Sequence, residues 1–171
     1  MAIMGTEQMQ KALEALSINI KAHKEILRQE NLDALRPFCS DESAAAFFAE
    51  FSFDKDLEMG KFTYYKANCL KKNIDWADDF KRALEVNILP VGSGISGDIV
   101  VLDLLNFQAG ILFHDYFWER DTENPRMFLV EMNCTLGEFY LNSAQNSDYP
   151  IDAYEAVAFT GSEFTGYSAE L

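Results

Sequence analysis

Three strand-like runs with short connections between them dominate the second half of the sequence. The runs are Ile99–Leu104, Ile111–Trp118 and Met127–Met132, and each is rich in β-branched or aromatic residues. A turn from Asn106 to Gly110 separates the first two runs, and a charged loop from Arg120 to Pro125 precedes the third. Connections this short favour antiparallel pairing, because a parallel crossover needs about a dozen residues or more. The sequence therefore predicts an antiparallel meander.

The first half has the spacing of helices. Apolar residues recur at near-helical intervals over 7–29, which predicts a helix there. A second helix is predicted over Glu42–Phe51, and a short amphipathic helix over Trp76–Leu84. Residues 54–60 predict a polar loop, and the aromatic run 61–65 predicts either a strand or the start of a helix.

A capping box marks another helix after the meander. Thr135 is placed to cap it, and Glu138 follows three residues later. Ile151–Phe159 predicts a last helix or strand, and residues 160–171 a loose C-terminal tail. A chain of 171 residues fits one ordinary domain. We therefore expect a single α+β domain over 1–171, with helices packed on an antiparallel sheet.

Acidic residues prevail in the second half of the chain. The formal charge is −14, and residues 83–171 hold only two basic residues, Arg120 and Arg126, against 14 acids. Residues 1–82 are nearly balanced, with 12 basic and 14 acidic side chains. Such a field repels nucleic-acid phosphates and attracts cationic protein partners. Solubility alone explains an acidic composition equally well, so both interpretations stand.

The sequence lacks the patterns of a signal peptide, a membrane-spanning segment and a disulfide framework. The first ten residues lack the basic and apolar regions of a signal peptide, and no apolar run approaches the roughly 18 residues that cross a bilayer. Cys39, Cys69 and Cys134 are odd in number and widely spaced, which predicts neither a disulfide framework nor a zinc site. We therefore expect a cytoplasmic protein with free thiols and no membrane partner.

Glycines at 92, 94 and 97 have the spacing GxGxxG. In a dinucleotide site this pattern follows a strand and opens a helix, so that the pyrophosphate meets helix amides. Here Asp98 and the β-branched run Ile99–Leu102 come next, and Asp98 would repel a phosphate. The spacing therefore predicts a tight turn that leads into a strand.

Catalytic and metal-binding patterns are sparse. His23 and His114 lie far apart, and His114-Asp115 is a single histidine among abundant carboxylates, whereas catalytic metal sites commonly use three protein ligands. No nucleophile elbow occurs, and nothing marks two carboxylates as an acid–base couple. We expect no catalytic residue, no metal and no cofactor, and a small enzyme built around His114 is the third hypothesis.

Aromatic residues stand among acids between 115 and 123, as they do on many recognition surfaces. The alternative is that alternate residues of this run face the core. The predicted partner-binding residues are Asp98, Asp115, Tyr116, Trp118, Glu119, Asp121 and Glu123.

Four short motifs follow one another in the second half. They are Leu89-Pro90-Val91-Gly92, Gly97-Asp98 before a strand ending in Leu102-Asp103, Gly110 to His114-Asp115, and Thr135 to Leu141. Together they resemble the SUKH superfamily, which includes fungal cell-wall synthesis regulators of the Smi/Knr type and many bacterial immunity proteins. The resemblance covers roughly residues 75–142. The first half departs from the family pattern, because no Asn-Gly follows the predicted helix that contains Phe47–Phe51.

The resemblance implies an α+β domain with helices around an antiparallel sheet. In bacteria it implies an immunity protein that binds and neutralises a polymorphic or contact-dependent toxin, here a basic nuclease. The alternative within the same family is a regulatory or scaffolding module without a toxin partner. The family is not known for catalysis, so the resemblance assigns no catalytic residue.

Overall fold

Six strands form one antiparallel sheet within residues 3–39 and 41–162, the part of the chain that this computed structural model describes. Their order in the sheet follows their order in the chain. The predicted meander corresponds to the last three strands and is confirmed, and three further strands precede it. The strands are β1 (Leu57–Met59), β2 (Phe62–Tyr64), β3 (Ile88–Gly94), β4 (Ile99–Asp103), β5 (Gln108–Leu112) and β6 (Leu129–Glu131).

Helices precede, interrupt and follow the sheet, which confirms the predicted α+β class. A short 3-10 turn, Ala67–Cys69, precedes the helix at Leu70–Trp76, and another, Pro125–Phe128, precedes the last strand. None of the helices in the described residues is long and apolar enough to span a membrane. The helices are α1 (Thr6–Ala15), α2 (Ile20–His23), α3 (Gln29–Leu35), α4 (Glu42–Glu50), α5 (Leu70–Trp76), α6 (Asp78–Glu85), α7 (His114–Glu119), α8 (Leu136–Gln145) and α9 (Ala153–Thr160).

The centre of the sheet is buried on both faces. Every residue of β4 is buried, as are most residues of β3 and β5. Strands of this kind need cover on both sides. Helix α8 packs against β1 and β5, α6 against β3, and α9 against β5 and β6. The buried apolar side chains consequently form one continuous core.

The start of the chain is joined to α8, against which α1 packs. The Gly137 amide donates to the Met4 carbonyl oxygen at 2.9 Å, and the predicted capping box of Thr135 and Glu138 opens α8. A Cβ atom on Gly137 would lie 1.8 Å from the Gly5 carbonyl oxygen. Only glycine therefore permits this close approach of the two backbones.

The helix predicted over 7–29 is wrong in extent. Helix α1 ends at Ala15, and Ser17 adopts a left-handed conformation with φ 55° that no continuous helix allows. Asn19 then caps the short α2. The helix predicted over Glu42–Phe51 is confirmed as α4, where the Asp41 side chain accepts a hydrogen bond from the Ser43 amide.

Two predicted strands are too long. The run Ile111–Trp118 leaves the sheet after Leu112 and turns into α7, and Met127–Phe128 lie in a 3-10 turn before β6. The helix predicted over Trp76–Leu84 breaks at Ala77, whose extended backbone separates α5 from α6. Trp76 therefore does not share a face with Leu84.

The remaining differences between the predicted and the observed secondary structure concern short elements. The predicted loop 54–60 contains β1, and the run 61–65 contains the strand β2. The segment Ile151–Phe159 contains most of α9, which includes Thr160 as its last residue. The tail predicted over 160–171 otherwise lies mainly outside the described residues, from 163 onward.

Candidate functional site

Helix α7 lies in the connection between β5 and β6, directly after β5. Its inner side buries Tyr116 and Phe117 in the core. The Arg82 side chain of α6 donates a hydrogen bond to the Phe117 carbonyl oxygen, and its guanidinium lies 4.2 Å from the centre of the Phe117 ring. Contacts with the ring and the backbone thus fix this helix from one side.

A buried carboxylate anchors the start of α7. Asp98, which is 3% exposed, accepts hydrogen bonds at Oδ1 from the His114 amide at 3.1 Å and from His114 Nδ1 at 2.5 Å. Its Oδ2 accepts from the Ala153 amide at 2.8 Å, at the first residue of α9. One side chain thereby supplies an acceptor to the first turns of two helices, where backbone amides lack partners.

His114 lies between two carboxylates. Its Nε2 is 2.9 Å from Asp115 Oδ1, and its Nδ1 faces Asp98. The edge of the imidazole meets the Trp118 ring at 81°, with 5.4 Å between the ring centres. Both ring nitrogens therefore lie within hydrogen-bonding distance of a carboxylate oxygen, and His114 connects the residue before β4 to α7.

The glycine-rich segment lies beside this histidine. Gly92 and Gly94 belong to β3, residues 95–98 form the tight turn that the sequence predicts before β4, and no helix follows them. Gly97 has φ 95°, and a Cβ atom there would lie 3.2 Å from His114 Nε2. Ile95, at the tip of the turn, is exposed. Sequence reasoning missed Ile95, although an isoleucine in a turn that favours polar residues is itself a signal.

The outer side of α7 carries exposed acids around an exposed indole. Asp115, Trp118 and Glu119 have the i, i+3, i+4 spacing that places side chains on one side of a helix, and Asp121 follows in the next loop. Trp118 is 57% exposed, and the Asp115 side chain is 61% exposed. We call these four residues the acidic face.

The structure corrects part of the predicted partner-binding set. Asp98 and Tyr116 are buried, because one is bonded to two helices and the other packs in the core, so neither is presented to a partner. Asp115, Trp118, Glu119 and Asp121 are exposed, and the first three share one side of α7. Glu123 is partly buried, with its carboxylate 3.6 Å from Arg120 Nε.

A second charged cluster lies at the far end of β4. Arg126 Nη2 and Nη1 donate to Asp103 Oδ1 and Oδ2 at 2.6 and 3.0 Å, and Arg126 Nε donates to the Val86 carbonyl oxygen at 2.8 Å. Burial opposes ionisation of Asp103, but the hydrogen bonds with Arg126 and Glu131 prevail and lower its pKa to about 2. Burial and Asp103 raise the pKa of Glu131 to about 8. Sequence reasoning missed this cluster, because its members lie in separate elements.

No three His, Cys, Asp or Glu side chains within residues 3–39 and 41–162 are arranged to hold a metal ion. The three cysteines are free and partly buried, and burial raises the pKa of the Cys134 thiol to about 11. No protein-family model, curated protein or solved structure gives a significant match to this chain.

Proposed function

We propose that this chain is a protein-binding module of the immunity type, which neutralises a basic toxin domain inside the producing cell. In this proposal the acidic face covers the nucleic-acid cleft of a toxin nuclease. The observation that carries the proposal is the outer side of α7, where an exposed tryptophan stands among three carboxylates. The SUKH resemblance of residues 75–142 favours the same class of partner.

Each part of the acidic face has a role that fits such a complex. Carboxylates complement the lysines and arginines that hold phosphates in a nuclease cleft, and they accelerate encounter with a basic partner. Trp118 supplies the large, rigid contact that dominates many interfaces. Since Asp98 and Arg82 already fix α7, little conformational freedom is lost on binding.

The proposal predicts that the neighbouring reading frame encodes a large secreted protein, and the test uses the C-terminal domain of that protein in a catalytically inactive form. Calorimetry at low and high salt is expected to show tight binding that weakens as salt rises. Trp118→Ala is expected to weaken binding by about 30-fold or more, as for interface hot spots. Glu119→Lys is expected to weaken it by about ten-fold through repulsion.

Glu14→Lys is the matched control, because Glu14 is an exposed acid on α1, away from the acidic face. It is expected to leave the affinity unchanged. If Trp118→Ala and Glu119→Lys bind as tightly as the parent protein, the acidic face is not the binding surface. If the parent protein does not bind any such domain, the immunity proposal is wrong and the regulatory or scaffolding hypothesis takes its place.

A further inference from the structure

A second exposed tryptophan lies at the end of a lysine-rich segment. Trp76, the last residue of α5, is 84% exposed. The segment 59–74 that leads to it contains four lysines and no acidic residue, in a chain of net charge −14. Asp75 precedes Trp76, and Asp78 and Asp79 follow it, so the positive charge near this indole comes from the lysines of the segment before it.

Trp76 borders a groove of about 380 Å³ whose lining contains four basic side chains, Arg28, Lys66, Lys71 and Lys72, and two acidic ones, Glu30 and Asp75. Arg28 is paired with Glu30 at 3.1 Å, and Lys71 with Asp75 on the next turn of α5. No described residue forms an ion pair with Lys66 or Lys72. The positive charge open to a ligand therefore comes from these two lysines.

Two buried asparagines hold the floor of the groove. Asn68 Oδ1 accepts from the Arg28 amide at 2.7 Å, and Asn68 Nδ2 donates to the Ile26 carbonyl oxygen at 2.9 Å. Asn31 donates to Asn68 at 3.1 Å and accepts from the Lys71 amide at 3.0 Å. The loop before α3 and the start of α5 are thus bonded to each other, and the groove exists before any ligand arrives.

We propose that this groove binds an acidic peptide segment of a protein partner. Lys66 and Lys72 hold two carboxylates of the segment, and the Trp76 indole covers an apolar side chain between them. A segment with a few carboxylates matches two available lysines, whereas the dense charge of a nucleic-acid backbone is repelled by the acidic remainder of the chain.

The groove and the acidic face are different surfaces, so either proposal can fail alone. The chain has two tryptophans, and a Trp118→Phe variant leaves Trp76 as the single fluorescent indole. The probe is a short synthetic peptide in which glutamates flank one leucine. Its controls are the same peptide with glutamines and a single-stranded oligothymidylate of similar length.

The glutamate peptide is expected to change Trp76 emission saturably, and the glutamine peptide is not. In the same background, Lys66→Gln with Lys72→Gln is expected to weaken peptide binding by about five- to ten-fold. Lys11→Gln, an exposed lysine on α1, is expected to change nothing. Absence of saturable binding, tighter binding of the oligonucleotide, or an unchanged affinity in the double-lysine variant would overturn the proposal.

Discussion

The second half of the chain contains two groups of aspartates and glutamates with contrasting surroundings. Asp98 and Asp103 are buried, and both oxygens of each carboxylate accept hydrogen bonds. Asp115, Glu119 and Asp121 are exposed on or beside α7. A buried carboxylate without partners costs several kcal/mol, whereas an exposed one is solvated by water. The same composition therefore supplies structural anchors inside the protein and a charged surface outside it.

The largest effect is expected at the pair of Asp103 and Arg126. Arg126→Met leaves the carboxylate of Asp103, which is 1% exposed, without either guanidinium hydrogen bond. We expect the free energy of unfolding to fall by about 3–5 kcal/mol, measured by urea denaturation at neutral pH. Arg36→Met, which breaks the exposed pair with Asp33, is the control and is expected to cost less than about 1 kcal/mol. Equal losses in the two variants would remove the distinction between buried and exposed pairs.

A smaller loss is expected when the anchor of α7 is removed. Asp98→Ala leaves the amides of His114 and Ala153 without their acceptor. The expected loss of stability is about 2–3 kcal/mol, because buried donors are left unsatisfied. Asp115→Ala, at the other side of the same imidazole, is expected to change stability by less than about 0.5 kcal/mol. Thermal unfolding measures the stability of both variants. If Asp98→Ala is as stable as the parent protein, Asp98 does not stabilise the start of α7.

The ionisation of Glu131 makes the free energy of unfolding depend on pH. Its pKa of about 8 in the folded protein lies above the ordinary value of 4.5, so its stabilising contribution is complete below about pH 4.5 and is lost as pH rises toward 8. Between about pH 5 and pH 8.5 the parent protein is expected to lose about 1–2 kcal/mol of unfolding free energy through Glu131, a figure reduced to allow for solvent screening. The variant Glu131→Gln stays neutral and is expected to retain that free energy. Asp103 titrates below this window, since its pKa is about 2.

Urea denaturation at the two pH values measures how much stability Glu131→Gln and the parent protein each lose. Glu138→Gln is the control, since it replaces a carboxylate whose role is the capping of α8. If Glu131→Gln and the parent protein lose stability in parallel, Glu131 is ionised throughout the range and the interpretation is wrong.

The smallest effect on stability is expected on the acidic face itself. Glu119→Lys is expected to change the free energy of unfolding by less than about 0.5 kcal/mol, because the side chain is exposed. Under the proposed function, the same variant is expected to weaken binding of a basic partner domain. A variant that lost stability and binding together would indicate that Glu119 is part of the framework and not of the binding surface.

Local signals in the sequence were sufficient for part of this picture. The β-branched run of β4 and the capping box of α8 depend on neighbouring residues, and both were predicted from them. The strand predicted through Trp118 was wrong because a contact between residues 98 and 114 ends it. In a strand, Asp115 and Trp118 would face opposite sides, whereas in α7 they share one side. No local pattern contains that contact, so the sequence predicted these residues as a binding set but not their placement on one side of a helix.

The glycine contact between the start of the chain and α8 has a consequence for synthesis. Neighbouring strands of the sheet follow one another in the chain, so each can pair as it emerges from the ribosome. Helix α1 is made before every strand of the sheet, but α8 is made about 120 residues after α1. At cellular rates of translation this delay is on the order of ten seconds. During that time Met9 and Leu13, which α8 helps to bury, remain open to chaperones, proteases and other nascent chains.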